Sequence, residues 1–226
     1  QHNLLSEGIS RDKIFVTGNT VVDTVQYIRD QFGCTDNLIA KYASKFSFLK
    51  PDSRWILVTG HRRESFGPGI KSICHAIKEI VKKHHDVEVI YPVHLNPKVR
   101  DVVYDILGNS ITSNKRIHLT DPLDYFSFVY LMTQSYMIMT DSGGIQEESP
   151  SLGIPLLIMR DVTERPEAVE SGCALLVGVE RENLVREVDK LLMDVSHHRA
   201  MSKARNPFGD GQAGRRIVKI LSEVKW

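Results

Sequence analysis

The sequence predicts an α/β fold in which helices cover both faces of a doubly wound parallel sheet. Six short apolar runs follow one another from Trp55 onward, and segments in which apolar residues recur at helical spacing separate them. Strands of a parallel sheet are buried on both faces, so they appear as continuous apolar runs with helices between them. In such a fold the ligand binds beyond the carboxyl ends of the strands.

The strands are predicted from clustered apolar residues and the helices from apolar residues that recur every three or four positions. In chain order, the predicted strands are Trp55–Thr59, Val87–Val93, Arg116–Leu119, Tyr136–Met139, Pro155–Met159 and Ala174–Val177. The predicted helices of this region are Ile70–His84, Pro97–Leu107, Tyr125–Thr133, a helix that begins at Gly143, Pro166–Glu170, Arg181–Asp194 and Gly214–Val224. The first of them is clearly amphipathic, and the second has proline in its first turn, where the missing N–H is not needed.

The first fifty residues do not extend this sheet. Residues 2–7 predict a helix that Gly8 ends, and Lys13–Thr17 predict a short strand. This pair is too small to bury a core of its own. Two further helices are predicted over about 21–32 and 37–46, before the sheet begins.

Four segments are therefore expected. They are a remnant of an absent preceding domain (1–17), interdomain helices (18–50), the sheet domain (51–205) and a C-terminal helix that packs back toward the absent domain (206–226). The first residue is glutamine rather than methionine, which also indicates a fragment.

The composition is that of an ordinary globular protein, with 42% hydrophobic and 25% charged residues. A net charge of +1 indicates no general attraction to nucleic acid or to a membrane surface, and no apolar run is long enough to span a bilayer. Three unpatterned cysteines are typical of a reducing compartment, so the cytoplasm is expected. Neither a metal nor a cofactor is predicted, because metal-ligand spacings, a dinucleotide fingerprint and a Walker lysine are all missing.

The segment 139–149 (MTDSGGIQEES) is a candidate anion site. It leads from a predicted buried strand through a polar turn and two glycines into a helix. Helix-start N–H groups are unpaired and carry partial positive charge, and glycines let a phosphate approach the backbone closely. Glu147 or Glu148, one turn further on, could then accept hydrogen bonds from ribose hydroxyls. An ordinary turn with Ser142 as the N-cap explains the same residues equally well.

Ionisable side chains also follow the first two strands. His61 and its arginine neighbours could bind phosphate, and His61 could act as an acid or base. A solvated loop is the alternative, but the position at a strand end favours function. His94 could reach the same region or could cap the next helix, and the sequence does not separate these two interpretations.

Two later segments have functional and structural interpretations. Phe128 could stack on a base, although an aromatic residue at helical spacing is more often part of a core. Arg165 precedes a helix and could neutralise phosphate, with Glu164 or Glu167 orienting it. A purely structural arginine–glutamate pair is the alternative for Arg165.

Taken together, these motifs resemble the non-hydrolysing UDP-N-acetylglucosamine 2-epimerases. The resemblance rests on residues 18–23 (GNTVVD), 59–64 (TGHRRE), 92–97 (PVHLNP), 141–148 (DSGGIQEE), 160–167 (RDVTERPE) and 206–211 (NPFGDG). The family interconverts UDP-GlcNAc and UDP-ManNAc with two Rossmann-like domains of the glycosyltransferase-B type and an active site between them. The resemblance implies that this chain is the carboxyl-terminal, UDP-binding half, that its partner is the absent amino-terminal domain, and that the complete enzyme is a homodimer.

The resemblance also implies roles for particular residues. His61 is implied to be a site residue needed for activity, and Arg62 and His94 are candidates for contacts to a second, activating UDP-GlcNAc. The implied UDP contacts are Ser142, Gly143 and Gly144 for the diphosphate, Glu148 for the ribose, Leu123 and Phe128 for the uracil, and Arg165 for the phosphates or sugar.

The chemistry implied by the resemblance is elimination and re-addition. UDP leaves C1 as the C2 proton is lost, which gives a 2-acetamidoglucal, and UDP then adds back with a proton delivered to the other face.

This sequence departs from the family in three respects. Ser65 and Val162 are mild departures from the asparagine and threonine usual in the family, and the amino-terminal domain is absent. Because the family's catalytic carboxylates lie in the amino-terminal domain, the isolated chain is expected to bind UDP weakly and not to epimerise.

Several other proteins would have a similar UDP site. The alternatives are a glycosyltransferase donor domain, a hydrolysing UDP-GlcNAc 2-epimerase, an epimerase of a related UDP-sugar and a non-catalytic UDP-sugar sensor. The reaction products distinguish them.

Overall fold

Six parallel strands form a single sheet at the centre of the computed structural model, which describes residues 1–34 and 36–223. The strands are β1 (Arg54–Thr59), β2 (Val87–Pro92), β3 (Ile117–Thr120), β4 (Met137–Thr140), β5 (Leu156–Ile158) and β6 (Ala174–Leu176). Their order across the sheet is β3-β2-β1-β4-β5-β6. The predicted doubly wound parallel sheet is confirmed, and the strand order reverses between β1 and β4, where such sheets bind their ligands.

Helices separate the strands as predicted, and other helices precede and follow the sheet. They are α1 (His2–Ser6), α2 (Thr20–Cys34), α3 (Asp36–Lys45), α4 (Pro68–Lys83), α5 (Pro97–Asn114), α6 (Tyr125–Gln134), α7 (Gly143–Leu152), α8 (Pro166–Glu170), α9 (Arg181–Met193), α10 (Val195–Ser202) and α11 (Ala213–Glu223). The predicted end of the last helix, Val224, lies outside the described residues. Across residues 1–34 and 36–223, no helix has the length and apolar character needed to cross a bilayer.

The strand predicted at Lys13–Thr17 does not form. Arg11–Lys13 make a short 3-10 turn, and the following apolar residues find no strand to pair with in the described chain. Phe15 and Val16 are instead 53% and 72% exposed. An apolar run forms a strand only where a sheet edge accepts it, which a local pattern does not reveal.

Two helical predictions also need correction. The helix that begins at Pro97 does not stop at Leu107, because α5 continues through Gly108. Helix α10 was not predicted, yet it follows α9 directly. Asp194 makes this possible, since its Oδ1 accepts hydrogen bonds from the N–H groups of Ser196 and His197 and so caps the new helix.

Both faces of the sheet are buried under helices. In β1, Ile56 and Val58 face a core layer shared with α4, α5 and α9, whereas Leu57 faces a layer shared with α2 and α6. Helix α2 places Val25 and Ile28 in this second layer. The helices that precede the sheet therefore complete its core.

The C-terminal helix is anchored at its start. Asp23 of α2 accepts hydrogen bonds from the N–H groups of Ala213 (3.1 Å) and Gly214 (2.9 Å). Further along α11, Val218 and Leu221 are 67% and 51% exposed. The packing of this helix against an absent domain stays a prediction.

Candidate functional site

A cavity of about 220 Å³ lies beyond the carboxyl ends of β1 and β2, beside the start of α7. It brings together residues from four separate segments that the sequence singled out, namely His61, His94, Leu123, Phe128 and Ser142. One wall is apolar and aromatic, and another carries imidazole nitrogens. The cavity therefore suits a flat group with polar edges.

Phe128 is both a core and a cavity residue. It is half-buried and packs against the layer that contains Leu57, while another part of the side chain lines the cavity. The core interpretation and the ligand interpretation of Phe128 are therefore compatible.

The start of α7 is open to an anion. Ser142 stands at the N-cap position, but its hydroxyl makes no capping hydrogen bond with any described residue. Its own N–H donates to Oγ1 of Thr140 at 3.0 Å. The interpretation of this turn as an ordinary serine cap is therefore not supported, and the first N–H groups of the helix remain available to a ligand.

Two guanidinium groups flank the first residue of α7. A Cβ atom placed on Gly143 would lie 3.5 Å from Nη2 of Arg62 and 3.8 Å from Nη2 of Arg165. Neither distance is a clash, so an alanine would fit the folded chain at this position. The space over Gly143 is bounded by two cations and a helix start, which is an arrangement that binds phosphate or diphosphate.

Arg165 is held in place by a glutamate on α7. Its Nε donates to Oε1 of Glu147 at 2.6 Å, and Oε2 of Glu147 accepts from Nδ2 of Asn19 at 2.7 Å. The Glu147 carboxylate therefore fixes one edge of the guanidinium and leaves the other edge toward Gly143. The sequence had suggested Glu164 or Glu167 for this role, and that suggestion was wrong.

Glu164 instead belongs to a second arginine. Arg160 is only 7% exposed, and its guanidinium donates to Oε2 of Glu164 at 2.6 Å and to Oε1 at 3.0 Å. Its Nε donates to Glu64 in the loop after β1. The hydrogen bond from Arg160 lowers the pKa of Glu164 to about 2. This ion cluster joins the loop that carries His61 to the loop that carries Arg165.

The two adjacent glutamates on α7 differ in how many hydrogen-bond partners they have. Glu147 is engaged by Arg165 and Asn19, whereas Glu148 accepts a single hydrogen bond, at 2.8 Å, from the Tyr125 hydroxyl. Burial raises the pKa of Glu148 above its ordinary value, and the neighbouring charge of Glu147 adds to this.

His61 is held from two sides. Its backbone N–H donates to Oδ2 of Asp141 at 2.8 Å, and its ring stacks on that of His94 with the centroids 5.3 Å apart. The same Oδ2 accepts the N–H of Arg62 at 2.8 Å. The buried carboxylate of Asp141 thereby fixes the turn on which both predicted site residues stand.

A second, larger cleft of about 740 Å³ lies elsewhere, between residues 16–18 and 205–210. It is lined by Arg205 and Arg216 but by none of the residues singled out for UDP. Among residues 1–34 and 36–223, no group of three or more histidine, cysteine, aspartate or glutamate side chains is placed to hold a metal ion.

Comparison with known proteins identifies a family for this chain. The family model described as UDP-N-acetylglucosamine 2-epimerase matches residues 1–222. A UDP-N-acetylglucosamine 2-epimerase of Escherichia coli (strain K12) is 51% identical over 221 residues, which are 98% of this chain and 58% of that protein. The chain therefore spans less than two thirds of the length of this relative.

Solved structures show the same relationship. The UDP-GlcNAc 2-epimerase from Neisseria meningitidis, in a crystal structure bound to UDP-GlcNAc, has a TM-score of 0.91 and 43% identity, covering 99% of this chain and 59% of that one. A glycosyltransferase involved in lipopolysaccharide biosynthesis shares the fold alone, with a TM-score of 0.59 at 15% identity over 84% of this chain and 52% of that one. The expected Rossmann-like, glycosyltransferase-type fold is confirmed. The chain belongs to the UDP-N-acetylglucosamine 2-epimerase family.

Proposed function

We propose that the complete protein interconverts UDP-GlcNAc and UDP-ManNAc, and that this chain supplies the half that holds UDP. The observation that carries the proposal is the position of the cavity next to the start of α7. A flat group in the cavity and a diphosphate over Gly143 would be parts of one ligand, and UDP has that shape. The Neisseria meningitidis relative, bound to UDP-GlcNAc, supports the same ligand.

In this proposal the cavity holds the uracil between Leu123 and Phe128. The diphosphate lies on Ser142, Gly143 and Gly144, and the ribose hydroxyls donate to Glu148. Arg165 meets the phosphates or the sugar.

The proposed reaction explains why this half concentrates positive charge. UDP leaves C1 as the C2 proton is lost, and both the diphosphate and the 2-acetamidoglucal must stay bound until UDP adds back. Preorganised donors placed where charge develops stabilise a leaving group without further reorganisation. Arg62, Arg165 and the α7 start would stabilise the departing diphosphate, and His61 would act at the same position.

The rest of the machinery is proposed to lie outside this chain. The carboxylates that move the C2 proton would belong to the portion of the relatives that this chain does not cover, and the complete protein would be a cytoplasmic homodimer. Arg62 and His94 are also candidates for contacts to a second, activating UDP-GlcNAc.

Incubation of the complete protein with UDP-GlcNAc in D₂O tests the proposed function. We expect deuterium at C2 and the appearance of UDP-ManNAc. A glycosyltransferase would leave C2 unlabelled, a hydrolysing epimerase would release free ManNAc with UDP, and a sensor would leave the sugar unchanged. Each of these outcomes would overturn the proposal.

The glycine at 143 gives a test of the diphosphate position. Gly143→Ala is expected to weaken UDP binding at least about tenfold, or about 1.4 kcal/mol, because the new methyl group fills the space between the two guanidinium groups. Thermal stability should be retained, since a Cβ there meets no atom closer than 3.5 Å. Titration calorimetry with UDP and a thermal melt measure the two quantities.

A matched substitution controls for the change from glycine to alanine in a helix. A Cβ on Gly108 of α5 would meet nothing within 4 Å, so Gly108→Ala should bind UDP as the unmodified chain does. If Gly143→Ala binds UDP as tightly as Gly108→Ala, the diphosphate does not lie over α7.

The role of Glu148 can be tested by substitution and by pH. Glu148→Ala is expected to weaken UDP binding by ~1–3 kcal/mol through loss of its hydrogen bonds to the ribose. Because the ribose donates to the ionised carboxylate, affinity should fall as pH falls through the raised pKa of Glu148. Uridine is the better ligand for the pH series, since it lacks titrating phosphates.

Two variants separate this role from a general effect. Glu148→Gln should remove the pH dependence of uridine binding, and Glu182→Ala, at an exposed position on α9, should leave binding unchanged. Equal uridine affinity at all pH values in the unmodified chain would exclude Glu148 from the ribose site.

A further inference from the structure

We propose that Asp141 is a positioning residue that selects the tautomer of His61. In this arrangement the Nδ1–H of His61 points at Asp141, and Nε2 is left to face the ligand. The inference rests on the proposed function, because it assigns His61 an orientation at the UDP site. The motifs in the sequence predict no separate role for this carboxylate.

The two oxygens of Asp141 have different surroundings. The side chain is completely buried at the end of β4. Its Oδ2 accepts the backbone N–H groups of His61 and Arg62, both at 2.8 Å. Its Oδ1 has no hydrogen-bond partner in the described chain and lies 3.5 Å from Nδ1 of His61.

A buried carboxylate oxygen without a donor is costly. Leaving such an acceptor unpaired costs the full desolvation penalty of the group, which is larger for a charged group. Nδ1 of His61 already stands at the outer limit of hydrogen-bond distance, so a small rotation of the imidazole would complete the bond. A hydrogen on Nδ1 makes this contact attractive, whereas a lone pair on Nδ1 would face a carboxylate lone pair.

The other contacts of His61 fit the same orientation. The ring stacks on His94 with an interplanar angle of 16°, which holds its plane, and both rings line the cavity. With Nδ1 committed to Asp141, Nε2 is the nitrogen left for the ligand. A neutral Nε2 can accept a hydrogen bond there, and a protonated Nε2 can donate one to a phosphate oxygen.

The sequence places this pair in two distant segments, residues 61 and 141, which the neighbouring strands β1 and β4 bring together. One carboxylate, that of Asp141, contacts both the backbone turn and the His61 ring. The position of the imidazole is therefore coupled to that of Arg62. Asp141 would therefore set the geometry of two site residues without touching the ligand itself.

The tautomer can be measured directly in the 226-residue chain. The ¹⁵N chemical shifts of the His61 ring, assigned by comparison with His61→Gln, report which nitrogen carries the hydrogen when the ring is neutral. We expect the Nδ1–H form in the unmodified chain. An Nε2–H form there would overturn the proposal, whatever the variants do.

Asp141→Asn is the sharpest substitution. The two backbone N–H groups require an acceptor, so the amide oxygen should take the place of Oδ2 and the amide NH₂ should face His61. Nδ1 would then have to accept, and the tautomer should switch to Nε2–H. A folded variant with an unchanged tautomer would contradict the proposal.

The same variant in the complete protein tests the functional consequence. Turnover is expected to fall at least about 100-fold while the Kd for UDP changes less than about threefold, since a wrong tautomer affects a reacting imidazole far more than a binding site. Asp189→Asn, which alters an aspartate that bonds to His84 and does not line the cavity, should retain turnover. Equal turnover of Asp141→Asn and Asp189→Asn would overturn the positioning role.

The tautomer experiment does not depend on activity. A failure of the proposed function would therefore show separately, as an absence of epimerisation by the unmodified complete protein.

Discussion

The 226-residue chain, incubated with UDP-GlcNAc in D₂O, should form no UDP-ManNAc and place no deuterium at C2 of the sugar, although it binds UDP. The physical reason is that removal of the C2 proton needs a base. Of the carboxylates near the proposed site, Glu147 is engaged by Arg165 and Asn19, and Glu64 and Glu164 are engaged by Arg160. Asp141 binds backbone N–H groups and Glu148 is assigned to the ribose, so the proposed function places the base outside this chain.

The complete protein under identical conditions is the control for this experiment. It should incorporate deuterium at C2, and the difference between the two reactions isolates the contribution of the portion outside this chain. Addition of that portion as a separate polypeptide should restore some activity if the two halves associate. Formation of UDP-ManNAc by the purified 226-residue chain alone would show that the base lies within it.

Replacement of His61 with alanine in the complete protein is expected to lower turnover about 100-fold to 10,000-fold, the range typical of losing a positioned acid or base. Affinity for UDP should change much less. His61 contributes one wall of the cavity, whereas Gly143, Arg62 and Arg165 surround the proposed diphosphate. Steady-state kinetics and UDP titration of the same preparation separate the two effects.

His75→Ala provides the matched control for this substitution. His75 is exposed on α4 and does not line the cavity, so its replacement should leave both turnover and UDP affinity unchanged. If His61→Ala loses UDP binding and turnover in equal proportion, or loses only stability, His61 has a structural role.

The sheet could be predicted from the sequence because its signal is local. Continuous apolar runs such as Trp55–Thr59 belong to strands buried on both faces, and helical spacing identified the segments between them. Lys13–Thr17 has a similar pattern, but the strand predicted there does not form. Pairing depends on a neighbouring strand that the local sequence does not specify. Helix α10 was missed because one side chain, Asp194, both ends a predicted helix and caps the next.

The site could be predicted only in part. The turns at strand ends make His61, Ser142 and Arg165 candidate site residues, since parallel topology brings those ends together. The partners of these residues were not identifiable, because they come from other loops. Glu147 and Glu148 are adjacent on one helix, and nothing in the sequence indicates which of them binds Arg165.

Asp141 lies within the anion-site motif, but the sequence predicts no role for this residue alone. Its burial, its two backbone donors and an oxygen that has no partner within the described residues are properties of the folded chain. The cluster around Arg160 is a similar case, because its two glutamates lie in different loops. Three-dimensional contacts therefore reveal the residues that orient other residues, whereas the sequence pattern reveals the residues at strand ends.

A crystal structure of this chain with UDP tests the central claim most directly. We predict that the diphosphate oxygens lie about 2.7–3.2 Å from the N–H groups of Gly143 and Gly144, with the uracil against Leu123 and Phe128. UDP bound instead in the larger cleft beside Arg205 and Arg216 would contradict the account.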